Sequence, residues 1–314
     1  MPGLVYDCFL FFNELDLLEI RLNVLFGVVD KFVLVEADRT FTNKEKPFYF
    51  EENKERYRQF LDKIIHIKIN EYPETKDTWD MQYFQRNQIA RCFTQCSPDD
   101  VILISDLDEI PNPEIIIDYK KTSSGICKLE QLHFDYYLNY RRCVDKYWYP
   151  AKIIRYKDII SNNYTPQDIR MEKKIKIIKD GGWHFSFLGG MENIKYKLQS
   201  FSNQKLNDKK YVNDKIEYKI RMGLDIFDRK DHHLIPVKIS NKNHPQYIVD
   251  NKEKYTHLIF PHINKFIVIK NIFYSLPYIL EYRIIRISKI ILPRSIVVKL
   301  KNIRKQLRER GKNT

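Results

Sequence analysis

Glycine is scarce in this chain of 314 residues, with only nine, and acidic residues almost vanish beyond Asn264. The glycine count excludes collagen-like and glycine-rich low-complexity architectures. No stretch of about 18 residues runs free of charge, which excludes a conventional membrane-spanning helix. The five cysteines (Cys8, Cys92, Cys96, Cys127, Cys143) are an odd, scattered set, and no suitably placed His completes a zinc site. They read as reduced thiols and not as a disulfide framework. The opening apolar stretch lacks a preceding basic run and a small-residue cleavage site. It therefore reads as a buried strand, and the chain as cytoplasmic.

What is present fits a packed domain: 43% hydrophobic and 30% charged residues can bury a sizeable core. The net charge of +13 is unevenly placed. From Lys265 to Thr314 there are 13 Lys and Arg against Glu281 and Glu309, which leaves 41 basic and 39 acidic residues in positions 1–264. A nucleic-acid enzyme spreads positive charge along its groove, so no nucleic acid partner is expected. Residues 1–264 are expected to form the main domain and 265–314 a basic, amphipathic, helical extension. In that extension Phe266–Phe273 and Tyr278–Leu292, with breaks at Pro277 and Pro293, alternate Ile, Leu, Phe and Val with Lys and Arg. The pattern predicts peripheral contact with an anionic membrane surface at its cytoplasmic face.

Hydrophobic periodicity predicts strands at Leu4–Phe12, Asp30–Ala37, Ile64–Ile69 and Val101–Ser105. Helices are predicted at Glu14–Phe26, Asn53–Leu61 and residues 79–96, and later at Gly189–Asn203 and Lys210–Met222. The alternation argues for an α/β fold, a mixed and mostly parallel sheet flanked by helices. Residues 126–187 hold shorter strand-like pieces crowded with Tyr, Trp and His. Such sheets bind ligands beyond the carboxyl ends of their strands.

Ser105-Asp106-Leu107-Asp108-Glu109-Ile110-Pro111 leaves the fourth strand at that end. Carboxylates at i and i+2 on such a turn can approach one divalent cation, directly or through water. Hard oxygen ligands with open positions suit Mg²⁺ or Mn²⁺ shared with a diphosphate. An isolated pair of this kind also serves as a loop or helix cap; the position after a buried strand favours metal. In Gly181-Gly182-Trp183-His184 the glycines allow close backbone approach, Trp183 offers a stacking face, and His184 can join a metal shell or bind phosphate. Arg86, opposite the apolar stripe of its helix, could bind a diphosphate or lie in solvent. Glu36, Asp38 and Arg39 follow the second strand, where nucleotide contacts are expected, although loop charges can also be merely exposed.

Four ordered segments carry a resemblance: Phe12-Asn13-Glu14-Leu15-Asp16-Leu17-Leu18-Glu19-Ile20-Arg21-Leu22, Val29-Asp30-Lys31-Phe32-Val33-Leu34-Val35-Glu36, Pro98 to Pro111, and Gly182-Trp183-His184-Phe185-Ser186. With these the chain resembles glycosyltransferase family 17, best known for the bisecting β-1,4-N-acetylglucosaminyltransferase of N-glycan processing. The likeness covers about residues 6–260. It implies a GT-A-like, Rossmann-like nucleotide-sugar-binding catalytic domain, a UDP-sugar donor, a divalent cation (Mn²⁺ or Mg²⁺) and inversion at the anomeric carbon. N-acetylglucosamine is the expected sugar, UDP-GlcNAc the donor, and a glycan or lipid-linked saccharide the acceptor. On this reading Asp108 ligates the metal and Asp106 reaches the ribose or the metal, with His184 in the metal shell or on the diphosphate. Asn13, Glu36, Asp38, Arg39, Arg86 and Trp183 contact the donor. The general base is Glu109 or Asp135. The rival readings are a non-catalytic carbohydrate-binding relative and a nucleic-acid-binding protein acting through the basic tail. The intact Asp106/Asp108 pair and the near-neutral body speak against them.

Overall fold

The structure, a computed structural model, describes residues 3–122, 124–208, 215–261 and 265–291. Its centre is four parallel strands in the order β3 (Ile64–Ile69), β2 (Lys31–Ala37), β1 (Val5–Phe11) and β4 (Val101–Asp106). Cys8 of β1 lies opposite Val33 on one side and Ile104 on the other. These strands are apolar along most of their length because helices cover both faces. Val5, Phe9 and Phe11 face the helix Leu15–Leu25, whereas Tyr6 and Cys8 pack with Ile89 and Cys92 on the opposite face.

Beyond β4 the sheet turns antiparallel. Next to β4 lies β9 (Lys152–Arg155), then β6 (Cys127–Asp135), β7 (Tyr140–Arg142) and β11 (Leu234–Pro236). The long β10 (Lys176–Ser186) runs parallel to β6 and takes the short β5 (Glu109–Pro111) antiparallel, and β8 (Tyr147–Trp148) also pairs with β6. The result is the mixed, mostly parallel sheet with flanking helices expected of a GT-A-like domain. Strands β1, β2, β4, β6 and β10 all end at the same edge, and the site lies there. Gly182 makes the β5–β10 contact possible: at φ +133° an added Cβ would stand 2.1 Å from the Ile110 carbonyl oxygen.

Several helices differ from the sequence-based expectation. The stretch 79–96 is an α-helix only over Thr78–Asn87 and continues as 3₁₀ over Gln88–Gln95. There the buried Ile89 and Cys92 are three apart, the spacing that a 3₁₀ turn eclipses onto one face. The segment expected at Asn53–Leu61 is likewise 3₁₀, over Lys54–Lys63. The helix expected at Lys210–Met222 is present as Ile216–Arg221, and residues 209–214 lie outside the described residues. Pro277 does not break the C-terminal helix, which runs from Lys265 to Ile291. Its ring removes one hydrogen bond at an exposed position, where water can serve the freed carbonyl. Pro293 lies outside the described residues. No described helix is long and apolar enough to cross a membrane.

Candidate active site

The turn after β4 is held by Arg21, a residue to which the sequence reading assigned no role. It lies on the helix Leu15–Leu25, facing β1, and is fully buried, as is Asp7 of β1. Arg21 Nε and Nη2 donate to the Asp7 carboxylate at 2.8 and 2.6 Å, and Nη2 also donates to Ser105 Oγ at 2.6 Å. Its Nη1 donates to the carbonyl oxygens of Asp106, Leu107 and Glu109 at 2.9, 3.0 and 3.0 Å. One planar fork thereby sets the path of the acidic turn, a task a lysine ammonium has too few directional donors to perform.

The three carboxylates of that turn have different surroundings. Asp106 Oδ1 accepts from Arg86 Nη2 at 3.1 Å and Oδ2 from Arg170 Nη2 at 2.8 Å. Partial burial raises its carboxyl pKa, but the Arg170 and Arg86 guanidiniums outweigh that and hold it below the usual range. Glu109 is completely buried and saturated: Arg170 binds both its oxygens at 2.5 and 2.7 Å, and the Trp148 indole N–H and the Asp106 backbone N–H add 2.5 and 3.0 Å bonds. Asp108 stands 3.0 Å from Lys197 Nζ and 3.5 Å from His184 Nε2. Burial acts to raise its pKa, yet Lys197 and His184 carry it well below the carboxylate range. Lys197 also bonds Glu14 at 3.2 Å.

Arg170 comes from the short helix Pro166–Met171, and Lys197 from the helix Gly190–Ser200. A signal for the first was legible: Thr165-Pro166-Gln167-Asp168 is a capping box with Pro at the first helical position. Arg86 does not lie in solvent. It is 3% exposed and donates to Gln167 Oε1 at 2.5 Å as well as to Asp106.

Strand register brings the second wall together. His133 and Asp135 of β6 lie beside His184 and Ser186 of β10, so their side chains share one face. Trp148 stacks on His184 with ring centres 4.6 Å apart and 17° between planes, and His133 lies 4.4 Å from His184. Trp183, expected to stack on a ligand, points to the other face and packs on the main core, whereas Trp148 of β8 lines the wide cleft. Burial holds His133 neutral, with a pKa lowered to about 3. Asp135 pairs with Arg142 Nε at 2.6 Å, while its Oδ1 lies 3.3 Å from His133 and 3.4 Å from Arg142 Nη2. Despite burial, the Arg142 guanidinium keeps its pKa well below the ordinary value.

Two clefts open on this edge. A narrow one of about 190 Å³ is lined by Phe12, Glu14, Arg39, Phe41, Lys46 and Gln85. A wide one of about 890 Å³ is lined by Tyr83, Asp135, Trp148, Tyr149, His184 and Phe187 among others. They meet at Asp106, Asp108 and Lys197, which line both. Of the residues expected near a nucleotide, Arg39 lines the narrow cleft and Arg86 the wide one. Glu36 lines neither: it is fully buried, accepting from the Phe50 backbone N–H at 2.9 Å and lying 3.0 Å from His66 Nε2. Asp38 is turned to the Tyr72 hydroxyl at 2.7 Å. Asn13 forms the turn before the first helix and lines neither cleft. Lys46 supplies a buried cation that the sequence reading overlooked. Burial lowers its pKa to about 8 against the raising effect of Glu36 and Glu14.

The model of glycosyltransferase family 17 matches residues 1–265. The chain belongs to glycosyltransferase family 17. Relatives of the chain include the β-1,4-mannosyl-glycoprotein 4-β-N-acetylglucosaminyltransferases of Rattus norvegicus, 24% identical over 289 residues, and Mus musculus, 23% identical over 289 residues. Each alignment takes in 79% of this chain and 53% of the relative, so the chain spans about half the length of these proteins. The Homo sapiens protein of the same name is 29% identical over 107 residues, 32% of this chain and 20% of its own. Among solved structures, a mannosyltransferase from Pyrobaculum calidifontis in complex with GDP-Man and Mn²⁺ superposes with a TM-score of 0.40 at 8% identity, over 63% of this chain and 61% of that one.

Asp108, Glu109 and His184, all buried, each offer a ligand atom, and these atoms lie within 4.8 Å of one another. The set could hold a metal ion. It differs from the expected Asp106, Asp108 and His184, because both oxygens of Asp106 are taken by Arg86 and Arg170. His184 keeps a buried Nδ1 without a hydrogen-bond partner. Glu109 is bound on both oxygens, so Asp108 and His184 are the members best able to engage a cation.

Proposed function

We propose that this family 17 chain is an inverting, metal-dependent transferase that moves N-acetylglucosamine from UDP-GlcNAc to a glycan or lipid-linked saccharide. On this reading the acceptor is met at an anionic surface on the cytoplasmic face of a membrane. The observation that carries the reading is the meeting of a narrow and a wide cleft at Asp106 and Asp108. The narrow cleft suits the nucleotide: Phe12 and Phe41 supply flat apolar walls for a base, and Arg39 and Lys46 supply positive charge. The wide cleft, with Tyr83, Trp148 and Tyr149, suits the apolar faces and hydroxyl rims of sugars.

A Mn²⁺ or Mg²⁺ ion held by Asp108 and His184 would supply positive charge for the diphosphate. Lys197, at the junction of the clefts, adds a fixed ammonium where the leaving group gains charge. In the displacement the acceptor oxygen bonds to the anomeric carbon as the bond to the diphosphate breaks, and UDP departs. The acceptor hydroxyl proton passes to a carboxylate on the acceptor side. Asp135 fits that part better than Glu109, because it lines the wide cleft, whereas Glu109 lines neither cleft and both its oxygens are bound by Arg170. Arg142 and the neutral His133 hold the Asp135 carboxylate in place, at 2.6 and 3.3 Å.

The test is UDP release across a panel of UDP-sugars with Mn²⁺, with and without acceptors. UDP-GlcNAc should be turned over; failure of every UDP-sugar to bind or react would defeat the reading. Asp108→Ala should lower turnover by about 10²–10³-fold, and Asp135→Asn by about 10²–10⁴-fold. A larger loss of turnover in Glu109→Gln than in Asp135→Asn, per folded molecule, would move the base back to Glu109.

A further inference from the structure

The C-terminal helix is amphipathic in the reverse of the usual sense. A helix docked on a globular domain buries its apolar stripe and shows its polar side to water. Here the buried positions include Asn271 and Ser275, at 1% and 0% exposure. Asn271 Nδ2 donates to the carbonyl oxygens of Met222 and Leu234 at 3.0 and 2.9 Å, and Tyr274 stacks on His233 at the same border. This polar seam fixes the rotation of the helix about its axis. The opposite side then carries Ile269, Phe273, Leu276, Leu280 and Ile284, between 44% and 68% exposed and spaced four, three, four and four residues apart. Such spacing aligns them in one row along a helix of about 40 Å.

We infer that this row is an interfacial anchor that lays the helix Lys265–Ile291 flat on an anionic lipid surface. The same spacing would serve a seam between two copies of the helix. Charge decides between the occupants. From Lys265 onward the chain holds 13 basic residues and two acidic ones, so two such segments side by side repel, whereas an anionic bilayer attracts them. Apolar side chains enter the headgroup boundary while basic ones stay among the phosphates. The anchor deepens the acceptor reading above and rests on it for its purpose, which is to keep the clefts near a lipid-linked saccharide. The binding itself requires no substrate.

Co-sedimentation of the full chain with vesicles, without donor or acceptor, tests it. Vesicles of phosphatidylcholine with phosphatidylglycerol should bind the protein and release it at high salt, and phosphatidylcholine alone should bind it poorly. The exposed triple variant Ile269→Ser/Phe273→Ser/Leu280→Ser should bind at least about tenfold more weakly, with an unchanged melting temperature and unchanged UDP release toward a soluble acceptor. Equal binding by variant and parent, or equal binding to both vesicle types, would overturn the anchor. So would a dimer that the triple variant dissolves in a protein that ignores vesicles, since the row would then belong to a second copy. Loss of UDP-sugar turnover with vesicle binding intact would count against the transferase reading alone.

Discussion

Around β1 and β2 the wall of the site is built by neighbours in sequence, whereas around β6 and β10 it is built by residues brought from far apart. Phe12 and Glu14 continue directly from β1, and Arg39 and Phe41 from β2, and together they enclose a small, partly apolar cleft. The opposite wall joins Trp148, Arg170, His184 and Lys197 from four separate elements around the carboxylates of one turn. The first wall takes its shape from a rigid parallel sheet. The second depends on buried ion pairs whose partners must all be in place, since an unpaired buried charge is costly. Arg21, buried behind the first wall, fixes the turn on which the second converges, so the two walls are not independent.

The comparison breaks most severely at Arg21. Arg21→Met should destabilise the fold by about 3–5 kcal/mol in urea unfolding, because it leaves Asp7 buried and uncompensated. A loss below about 1 kcal/mol would mean that the turn holds itself. A sharper contrast comes from the two tryptophans. Trp148→Ala should reduce transfer about tenfold or more with a modest loss of stability, since it removes the ring stacked on His184 and the indole donor to Glu109. Trp183→Ala should do the reverse, costing about 2–3 kcal/mol of stability at unchanged activity per folded molecule. Equal behaviour of the pair would erase the distinction between the cleft-facing Trp148 of β8 and the core-facing Trp183 of β10.

The smallest effect concerns acid stability. Asp135 has a folded pKa below its unfolded value of about 3.9. Its ionisation therefore contributes stability that is fully present above that value and is lost as the pH falls through the unfolded pKa toward the folded one. Thermal melts from neutral pH to about pH 3 should show a steeper acid decline in the parent than in Asp135→Asn. The variant should also be less stable at neutrality, because Arg142 loses its partner.

The parallel half of this architecture was legible in the sequence because its signals are local. The apolar strands at Leu4–Phe12, Asp30–Ala37, Ile64–Ile69 and Val101–Ser105 and the helix after β1 fall within two residues of their observed bounds. The acidic turn was legible for the same reason: it follows directly on a buried strand. The second wall was not, since Arg170 and Lys197 reach Asp106 and Asp108 across 64 and 89 residues of chain. Strand register separates Trp148 from Trp183, and register in 126–187 depends on pairings that short aromatic runs do not dictate. Glu36 and Asp38 show the converse failure. They stand near the correct strand end, but Phe50, His66 and Tyr72 draw their side chains away from the clefts.

The central claim is that a nucleotide diphosphate enters the narrow cleft and ends at the junction by Asp108 and His184. A crystal structure of the protein with UDP and Mn²⁺ tests this directly. The account predicts the uracil between Phe12 and Phe41, the diphosphate toward Lys197, and the metal on Asp108 and His184. Uracil in the wide cleft against Trp148, or a metal bound away from Asp108, would contradict it.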